Sequence, residues 1–332
     1  MKMTDIVLLP GDGIGPEIVE AVCEILDKAG ANLCYHKYDI GQTSYEKCGK
    51  LIPEETIVAI EKYKVALKGP VTTPIGKGFR SVNVNLRLIF DLYTNLRPAY
   101  SIENVSKYNN VDIVTVRENT EDLYIGEEHE IENGYEAIKR ITIPATDRII
   151  RYAFEYAVNN NRKKVTCVHK ANILKKSDGL FLERFKMISK EYPNIEIDDK
   201  IIDNMCMQLV MYPEKYDVLV CPNLYGDILS DLISGLIGGL GLVPGANIGK
   251  DVAIFEAVHG SAPDISGKGI ANPVALLQSA CMMLKHIGKT EVAFNIEQAI
   301  LKTLNNKEAL TKDLGGNSTT KELTEAIIKN LK

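Results

Sequence analysis

Apolar runs of strand length alternate with amphipathic helical patterns almost from end to end of this chain. That rhythm restricts it to an α/β architecture built on a largely parallel sheet. Residues 5–9 (DIVLL) open the series as a buried strand, with further strands expected at 64–68, 111–117, 164–169, 217–221 and 252–255. Helical periodicity marks 54–62, 146–160, 177–191, 203–211, 226–237, 273–287, 291–305 and 320–331. The first helix carries Pro16 in its opening turn and stops at Gly30, and between them Ile18, Val22, Ile25, Leu26 and Ala29 share one face. At 332 residues the chain has length for about two domains and a core that needs no disulfide or metal staple. The polar stretch 126–141 (GEEHEIENGYEAIKRI) breaks the rhythm with short alternating pieces and reads as an excursion from the main body.

Lys and Arg number 39 against 44 Asp and Glu, a formal net charge of −5. This acidic balance, with no basic stripe interleaved with aromatics, excludes a dedicated nucleic-acid binder. It leaves room for anionic small ligands at local basic clusters. The cysteines (Cys23, Cys34, Cys48, Cys167, Cys206, Cys221, Cys281) are odd in number, scattered and without a C-x-x-C pair, the pattern of reduced thiols in a cytosolic compartment. The opening MKMTDIVLLPGDG places an acid before a short apolar run, so a strand is expected there and not a signal peptide. The most apolar later stretch, 232–248, is broken by Gly235, Gly238, Gly239, Gly241 and Pro244, well short of the ~20 apolar residues of a membrane span. The expected setting is soluble and cytoplasmic, with no membrane partner.

GDGIG at 11–15 links a strand to a helix, yet the spacing is not G-x-G-x-x-G and Pro16 removes an amide that would face a phosphate. A tight structural turn is expected there; Asp39, after a second strand, does not rescue a dinucleotide fingerprint. Residues 69–87 (GPVTTPIGKGFRSVNVNLR) form a rigid loop that offers amides and the hydroxyls of Thr72 and Thr73. A helical stretch follows that projects Ser81, Asn83 and Arg87. Arg97 comes soon after, and Arg117 stands directly behind the strand VDIVTV. Three arginines at element ends suit a polyanionic ligand, because guanidinium groups grip carboxylates in bidentate fashion; surface ion pairs are the competing account.

HKAN at 169–172 sets Lys170 at the carboxyl end of a strand, where ligands collect and a lysine can shuttle a proton. A plain exposed lysine is the commoner outcome. In NLYGDILSDL (223–232) Asp227 and Asp231 stand four apart and share a helical face. A hard, oxygen-ligated cation such as Mg²⁺ or Mn²⁺ relieves their repulsion, with Asp203 after EIDDKII as a third ligand. A helix-dipole effect explains Asp227 well and Asp231 poorly. With no C-x-x-C, H-x-x-x-H or H-E-x-x-H motif, a zinc site is not expected. HGSAPDISGKGIANP (259–273) is a long punctuated loop of the kind that turns or binds. Asp264 suits a ribose hydroxyl pair, and Asn272 either caps the next helix or meets an adenine.

These five segments, in this order, resemble the metal-dependent decarboxylating 2-hydroxyacid dehydrogenases, the family of isocitrate, isopropylmalate and homoisocitrate dehydrogenases. The resemblance runs from LLPGDGIGPEI to the late TKDLGG segment. It implies a two-domain, non-Rossmann α/β fold. Residues 1–97 and 246–332 would form a large cofactor-binding domain and 98–245 a small dimerisation and metal domain, with 126–141 as a clasp between protomers. Isopropylmalate enzymes present a leucine-rich surface at the helix that here reads S-V-N-V-N-L-R, whose Ser-x-Asn pattern matches the isocitrate enzymes. Hydroxyl and amide donors suit a distal carboxylate and would be left unpaired against an isopropyl group. The homoisocitrate enzymes resemble 203–273 equally well; only 69–87 separates the two, and it favours isocitrate. NADP-using members usually carry Lys and Tyr where this chain has Asp264 and Ile265. Asp264 would repel a 2′-phosphate by about 4 kcal/mol at ~4 Å, so NAD is the cofactor expected.

The reaction so implied is oxidative decarboxylation of isocitrate to 2-oxoglutarate and CO₂ with reduction of NAD, dependent on Mg²⁺ or Mn²⁺. By the resemblance Arg87, Arg97 and Arg117 clamp the tricarboxylate, and Ser81 and Asn83 hold its distal carboxylate. Asp227, Asp231 and Asp203 of the partner subunit would ligate the metal. Lys170 of the partner subunit would assist loss of the hydroxyl proton, and Tyr124 would protonate the carbon left by decarboxylation. Thr73 would lie near the nicotinamide, and His259, Gly260, Asp264, Ile265, Asn272 and Asp313 near the adenosine. A homo-oligomer, at least a dimer with shared active sites, follows. The rival is a noncatalytic regulatory role, and against it Tyr124, Lys170 and all three aspartates are in place.

Overall fold

The apolar runs assemble into one ten-stranded sheet in the computed structural model, which describes residues 3–73 and 81–332. In chain order the strands are β1 (Thr4–Leu9), β2 (Leu33–Lys37), β3 (Val65–Lys68), β4 (Thr94–Tyr100), β5 (Asp112–Glu118), β6 (Glu128–Ile131), β7 (Gly134–Ala137), β8 (Lys164–His169), β9 (Glu196–Ile201), β10 (Val218–Cys221), β11 (Pro244–Ile248) and β12 (Ala253–Ala257). The helices are α1 (Gly15–Lys28), α2 (Gln42–Cys48), α3 (Glu54–Tyr63), α4 (Val82–Ile89), α5 (Ile143–Asn159), α6 (Ser177–Ile188), α7 (Ile202–Met211), α8 (Asn223–Ile237), α9 (Val274–His286), α10 (Thr290–Asn305) and α11 (Thr320–Lys329). Part of the 69–87 segment, residues 74–80, lies outside the described residues.

The sheet order is β2-β1-β3-β12-β11-β4-β5-β10-β8-β9. One wing, β2 to β12, pairs parallel, and so does the other, β5 to β9. Between them β11 and β4 pair antiparallel with each other and with their outer neighbours. The α/β expectation with a largely parallel sheet holds. The apolar rhythm does not mark the two central strands, because β4 carries Asn95, Arg97 and Pro98 and β11 begins Pro-Gly. Asn95, Arg97 and Asn247 are therefore buried polar groups at the middle of the sheet, where each must find a partner.

Packing follows the helical periodicity. On α1, Ile18, Val22, Ile25 and Leu26 are fully buried against the sheet, each contributing about 1.5–3 kcal/mol of transfer energy. A second apolar cluster, including Val7, Leu9, Ile60 and Leu86, covers the other face of the β1 wing. α11 starts at a reciprocal capping box of Thr319 and Glu322. The 126–141 excursion contains β6 and β7, an antiparallel hairpin separate from the main sheet that exposes Ile131 and Tyr135. Among the described residues no helix is long and apolar enough to cross a membrane, and all seven cysteines are free.

The turn at 11–15 is a packing joint. Gly11 and Gly13 hold φ of +74° and +59°, and a Cβ on them would lie 2.1 Å from the Pro70 carbonyl oxygen and 2.0 Å from that of Ser261. Buried Asp12 completes the joint by accepting from the backbone N–H groups of Gln42, Thr43 and Thr72. The loops after β3 and β12 are thus held side by side above the strand ends.

Candidate active site

Arg117 leaves the end of β5 and lies across the first turn of α8. A Cβ at Gly226 would sit 2.5 Å from the Arg117 Cγ, which explains the glycine of N-L-Y-G-D in a helix interior. The Arg117 guanidinium, 1% exposed, donates from Nε to Asn223 Oδ1 at 2.9 Å and from Nη1 to Asp227. Arg97, one strand away on β4, donates to Ser230 Oγ at 2.6 Å and to Asp231 at 3.4 Å, and lies 3.7 Å from Asp227. Arg87 comes from α4, buried on the same side. The Nε atoms of Arg87 and Arg97 are buried without a partner. Burial, then the nearby Arg117 charge, pushes both guanidinium groups down to about 10. A net cationic cluster therefore sits inside an acidic protein.

Arg87 and Arg97 line a cleft of about 110 Å³ with Asn83, Asn95, Lys68 and Glu256. Lys68 and Glu256 are register partners on β3 and β12 and pair at 2.5 Å. Asn247 donates to Glu256 at 2.6 Å, and Asn95 to Asn247 at 2.8 Å. Sequence reasoning misses Lys68, Glu256 and Asn95; for the first two the available signal is a charge near the end of an apolar strand, VALK and AIFEA, and Asn95 carries none. Ser81 precedes α4 without capping it and is exposed outside the cleft lining. Thr73 accepts from the Val82 N–H at 3.1 Å, tying the loop to that helix.

Asp227 and Asp231 share one face of α8, as their spacing predicts. The Tyr124 hydroxyl donates to Asp227, and the Arg117 guanidinium lies 4.9 Å from the Tyr124 ring. Against the effect of burial, Arg117 and then Tyr124 hold the Asp227 carboxyl below the usual carboxylate range. Asp231 is pushed up, by burial and by the Asp227 charge, with Arg97 opposing. Burial chiefly raises the Tyr124 phenol, so it keeps its proton. Asp203, in the first turn of α7, pairs with Lys170 and is 71% exposed. Asp203, Asp227 and Asp231 do not converge within one chain: among the described residues, the one group of three potential metal ligands lies on β1 and β2.

A larger cavity, about 600 Å³, adjoins this cleft and is lined by Ile14, His259, Gly260, Ile265, Asn272 and Asp313, among others. His259 and Gly260 line both spaces, so the two meet at these residues. The His259 Nε2 is buried without a partner, and burial lowers the imidazole's pKa. Asn272 accepts from the Val274 N–H, the first amide of α9, at 3.0 Å and donates to Asp313 at 2.9 Å while lining the cavity. Asp264 is exposed on the 3-10 turn Pro263–Ile265, beside the lining and not part of it. Gly241 and Lys312 also line the cavity; nothing in their local sequence distinguishes them.

A family model described as isocitrate/isopropylmalate dehydrogenase matches residues 5–327. The chain belongs to this family. A mitochondrial NAD isocitrate dehydrogenase regulatory subunit of Dictyostelium discoideum is 50% identical over 333 residues, 99% of this chain and 92% of that protein. The mitochondrial NAD isocitrate dehydrogenase catalytic subunit 5 of Arabidopsis thaliana is 49% identical over 327 residues, 98% of this chain and 87% of that protein. The crystal structure of isocitrate dehydrogenase from Methylococcus capsulatus superposes with a TM-score of 0.95 at 50% identity, covering 99% of both chains. Regulatory and catalytic relatives match equally well, so it is the side chains of this isocitrate/isopropylmalate dehydrogenase that divide the two roles. One test of the arginine cluster is steric. Gly226→Ala is expected to displace Arg117 and lower kcat/KM about 100-fold, the usual cost of misplacing a positioning group by about 1 Å. Unchanged steady-state kinetics would show that Arg117 does not position the substrate.

Proposed function

We propose that this chain is a catalytic NAD-dependent isocitrate dehydrogenase that oxidises and decarboxylates isocitrate to 2-oxoglutarate and CO₂. The observation that carries this reading is the under-neutralised cluster of Arg87, Arg97 and Arg117 beside Tyr124, Asp227 and Asp231, with a nucleotide-sized cavity adjoining its cleft at His259 and Gly260. The arginines grip the carboxylates, and Asn83 with Ser81 serves the distal one. His259, Gly260, Ile265, Asn272 and Asp313 receive the adenosine, Thr73 faces the nicotinamide, and Asp264 at the rim meets the ribose and disfavours NADP.

The Asp227–Asp231 pair fits a hard divalent cation: two carboxylates share one helical face, and the raised Asp231 signals repulsion that a cation would relieve. Asp203 of the partner subunit completes the oxygen set. Mg²⁺ or Mn²⁺ held by these carboxylates would supply Lewis acidity that favours loss of the substrate's hydroxyl proton. Lys170 of the partner subunit takes up the hydroxyl proton, and the Tyr124 hydroxyl delivers a proton to the carbon left after CO₂ departs.

A homodimer with shared sites is supported by uncovered apolar side chains: Met207, Val210 and Met211 on α7, Ile228 on α8, and Ile131 and Tyr135 on the hairpin. The proposed domain limits, 97/98 and 245/246, fall inside β4 and β11, the two strands that join the wings. Unpaired cysteines agree with a cytoplasmic setting. The test is a rate matrix of isocitrate, homoisocitrate and isopropylmalate, each with NAD and NADP, in Mg²⁺ or Mn²⁺. Isocitrate with NAD is expected to give the highest kcat/KM. Preference for isopropylmalate would overturn the Ser81–Asn83 argument, and preference for homoisocitrate would make that the substrate.

A further inference from the structure

Asp5, Cys34 and His36 stand outside the machinery described above. β1 and β2 pair in parallel with Asp5 opposite Cys34 and Val7 opposite His36. Strand alternation turns these side chains to one face, the face on which Val7 packs with Ile60 of α3. His36 Nε2 lies 2.8 Å from Asp5 Oδ1 and 3.8 Å from Cys34 Sγ, and the three donor atoms fall within 4.8 Å of one another. Among the described residues no other group of three potential ligands forms. Linear motifs set zinc aside for want of a C-x-x-C or H-x-x-x-H spacing. Here a C-x-H pair on one strand gains its third ligand by register from the neighbouring strand.

We propose that Asp5, Cys34 and His36 bind a borderline-soft divalent cation of the Zn²⁺ type and thereby fasten the edge strand β2 to β1. Zn²⁺ at about 2.3 Å from sulfur and about 2.0 Å from nitrogen sets those atoms roughly 3.5 Å apart at a tetrahedral angle. The observed Cys34–His36 separation of 3.8 Å lies within about 0.3 Å of that. The His36–Asp5 pair needs to open by roughly 0.5 Å to admit the ion. Tyr63, at the end of α3, stacks on the imidazole with centroids 4.0 Å apart and planes 11° from parallel, which fixes the ring plane. Thiolate and carboxylate together offset the dication's charge. Lys62, whose Nζ donates to the Tyr63 hydroxyl at 3.1 Å, is a competing cation beside them. A sulfur–nitrogen–oxygen set with one open position selects Zn²⁺ or Co²⁺ over hard Mg²⁺ and Mn²⁺. Five strand spacings, about 24 Å, separate β2 from the Arg97 strand, so this site is independent of the catalytic reading.

The test is a Co²⁺ titration of the full chain, reduced and stripped of metal. Thiolate ligation produces a near-ultraviolet charge-transfer band that an all-oxygen aspartate set cannot produce. The band is expected to saturate at one equivalent per chain, to persist in Asp231→Asn, and to vanish in Cys34→Ala. His36→Gln is expected to weaken the titration about 100-fold or more. A band that survives Cys34→Ala, or no band at saturating cobalt, overturns the proposal. If Cys34→Ala does not fold, His36→Gln decides alone, and an unchanged cobalt affinity there overturns it. The readout is spectroscopic, so loss of isocitrate turnover in any variant leaves this result standing.

Discussion

Lys170→Ala and Tyr124→Phe oligomers are each expected to lose about 100- to 10,000-fold in kcat, the range for removing a general acid or base, and to recover activity when mixed. Within one chain Lys170 pairs with Asp203, while Tyr124 pairs with Asp227. The carboxylates of Asp203, Asp227 and Asp231 do not meet in one chain. If each site takes Lys170 and Asp203 from one protomer and Tyr124 and Asp227 from the other, a mixed dimer holds one site with both wild-type groups and one with neither. Random exchange at equal concentrations then restores about a quarter of wild-type turnover, half of the dimers being mixed and each carrying one working site. The measurement is specific activity after protomer exchange verified by native mass spectrometry. No recovery despite exchange would place the whole site in one chain. A merely structural role for Lys170 also fails to predict recovery.

The periodic part of the molecule was legible because burial imposes periodicity: α1 reads as a helix since Ile18, Val22, Ile25 and Leu26 must all face the sheet. β4 and β11 were not legible, because the centre of the sheet is given over to polar groups with fixed partners, and such strands lose their apolar signature. The Lys68–Glu256–Asn247–Asn95 chain is the case in point, its members lying far apart in sequence and joined only by strand register. The glycine turn at 11–15 is structural, as its missing third position and Pro16 indicate; the reason for its glycines, the Pro70 and Ser261 carbonyls, needed the fold. Asp227 and Asp231 emerge from helical spacing alone. The Asp5–Cys34–His36 group does not, since its ligands are joined across two strands by register and not by spacing along one.

Asp231→Asn and Asp227→Asn are expected to abolish metal-dependent turnover alike, by about 1,000-fold or more if the cation supplies several kcal/mol of charge stabilisation, yet to part company in stability. Asp231 meets Arg97 only at 3.4 Å, and its carboxyl is pushed up because ionisation there is opposed by burial and by Asp227. Neutralising it leaves the fold as stable as before. Asp227 is the ion-pair partner of Arg117, a guanidinium with 1% exposure. Losing that partner costs about 2–3 kcal/mol, below the usual figure for a broken buried pair because the Asp227 side chain is 38% exposed. Asp227 has a lowered pKa, so its contribution is complete above the ordinary carboxylate range and disappears as pH falls through the lowered value. The stability gap between wild type and Asp227→Asn, measured by urea unfolding of metal-free protein, should therefore be full at pH 7 and close in strong acid. Chelation with EDTA should stop turnover of the wild-type chain, and full activity without a divalent ion would sink the assignment of both aspartates. Equal stability losses in the two variants would instead show that Arg117 does not depend on Asp227, leaving the arginine cluster held by Asn223 and the packing against Gly226.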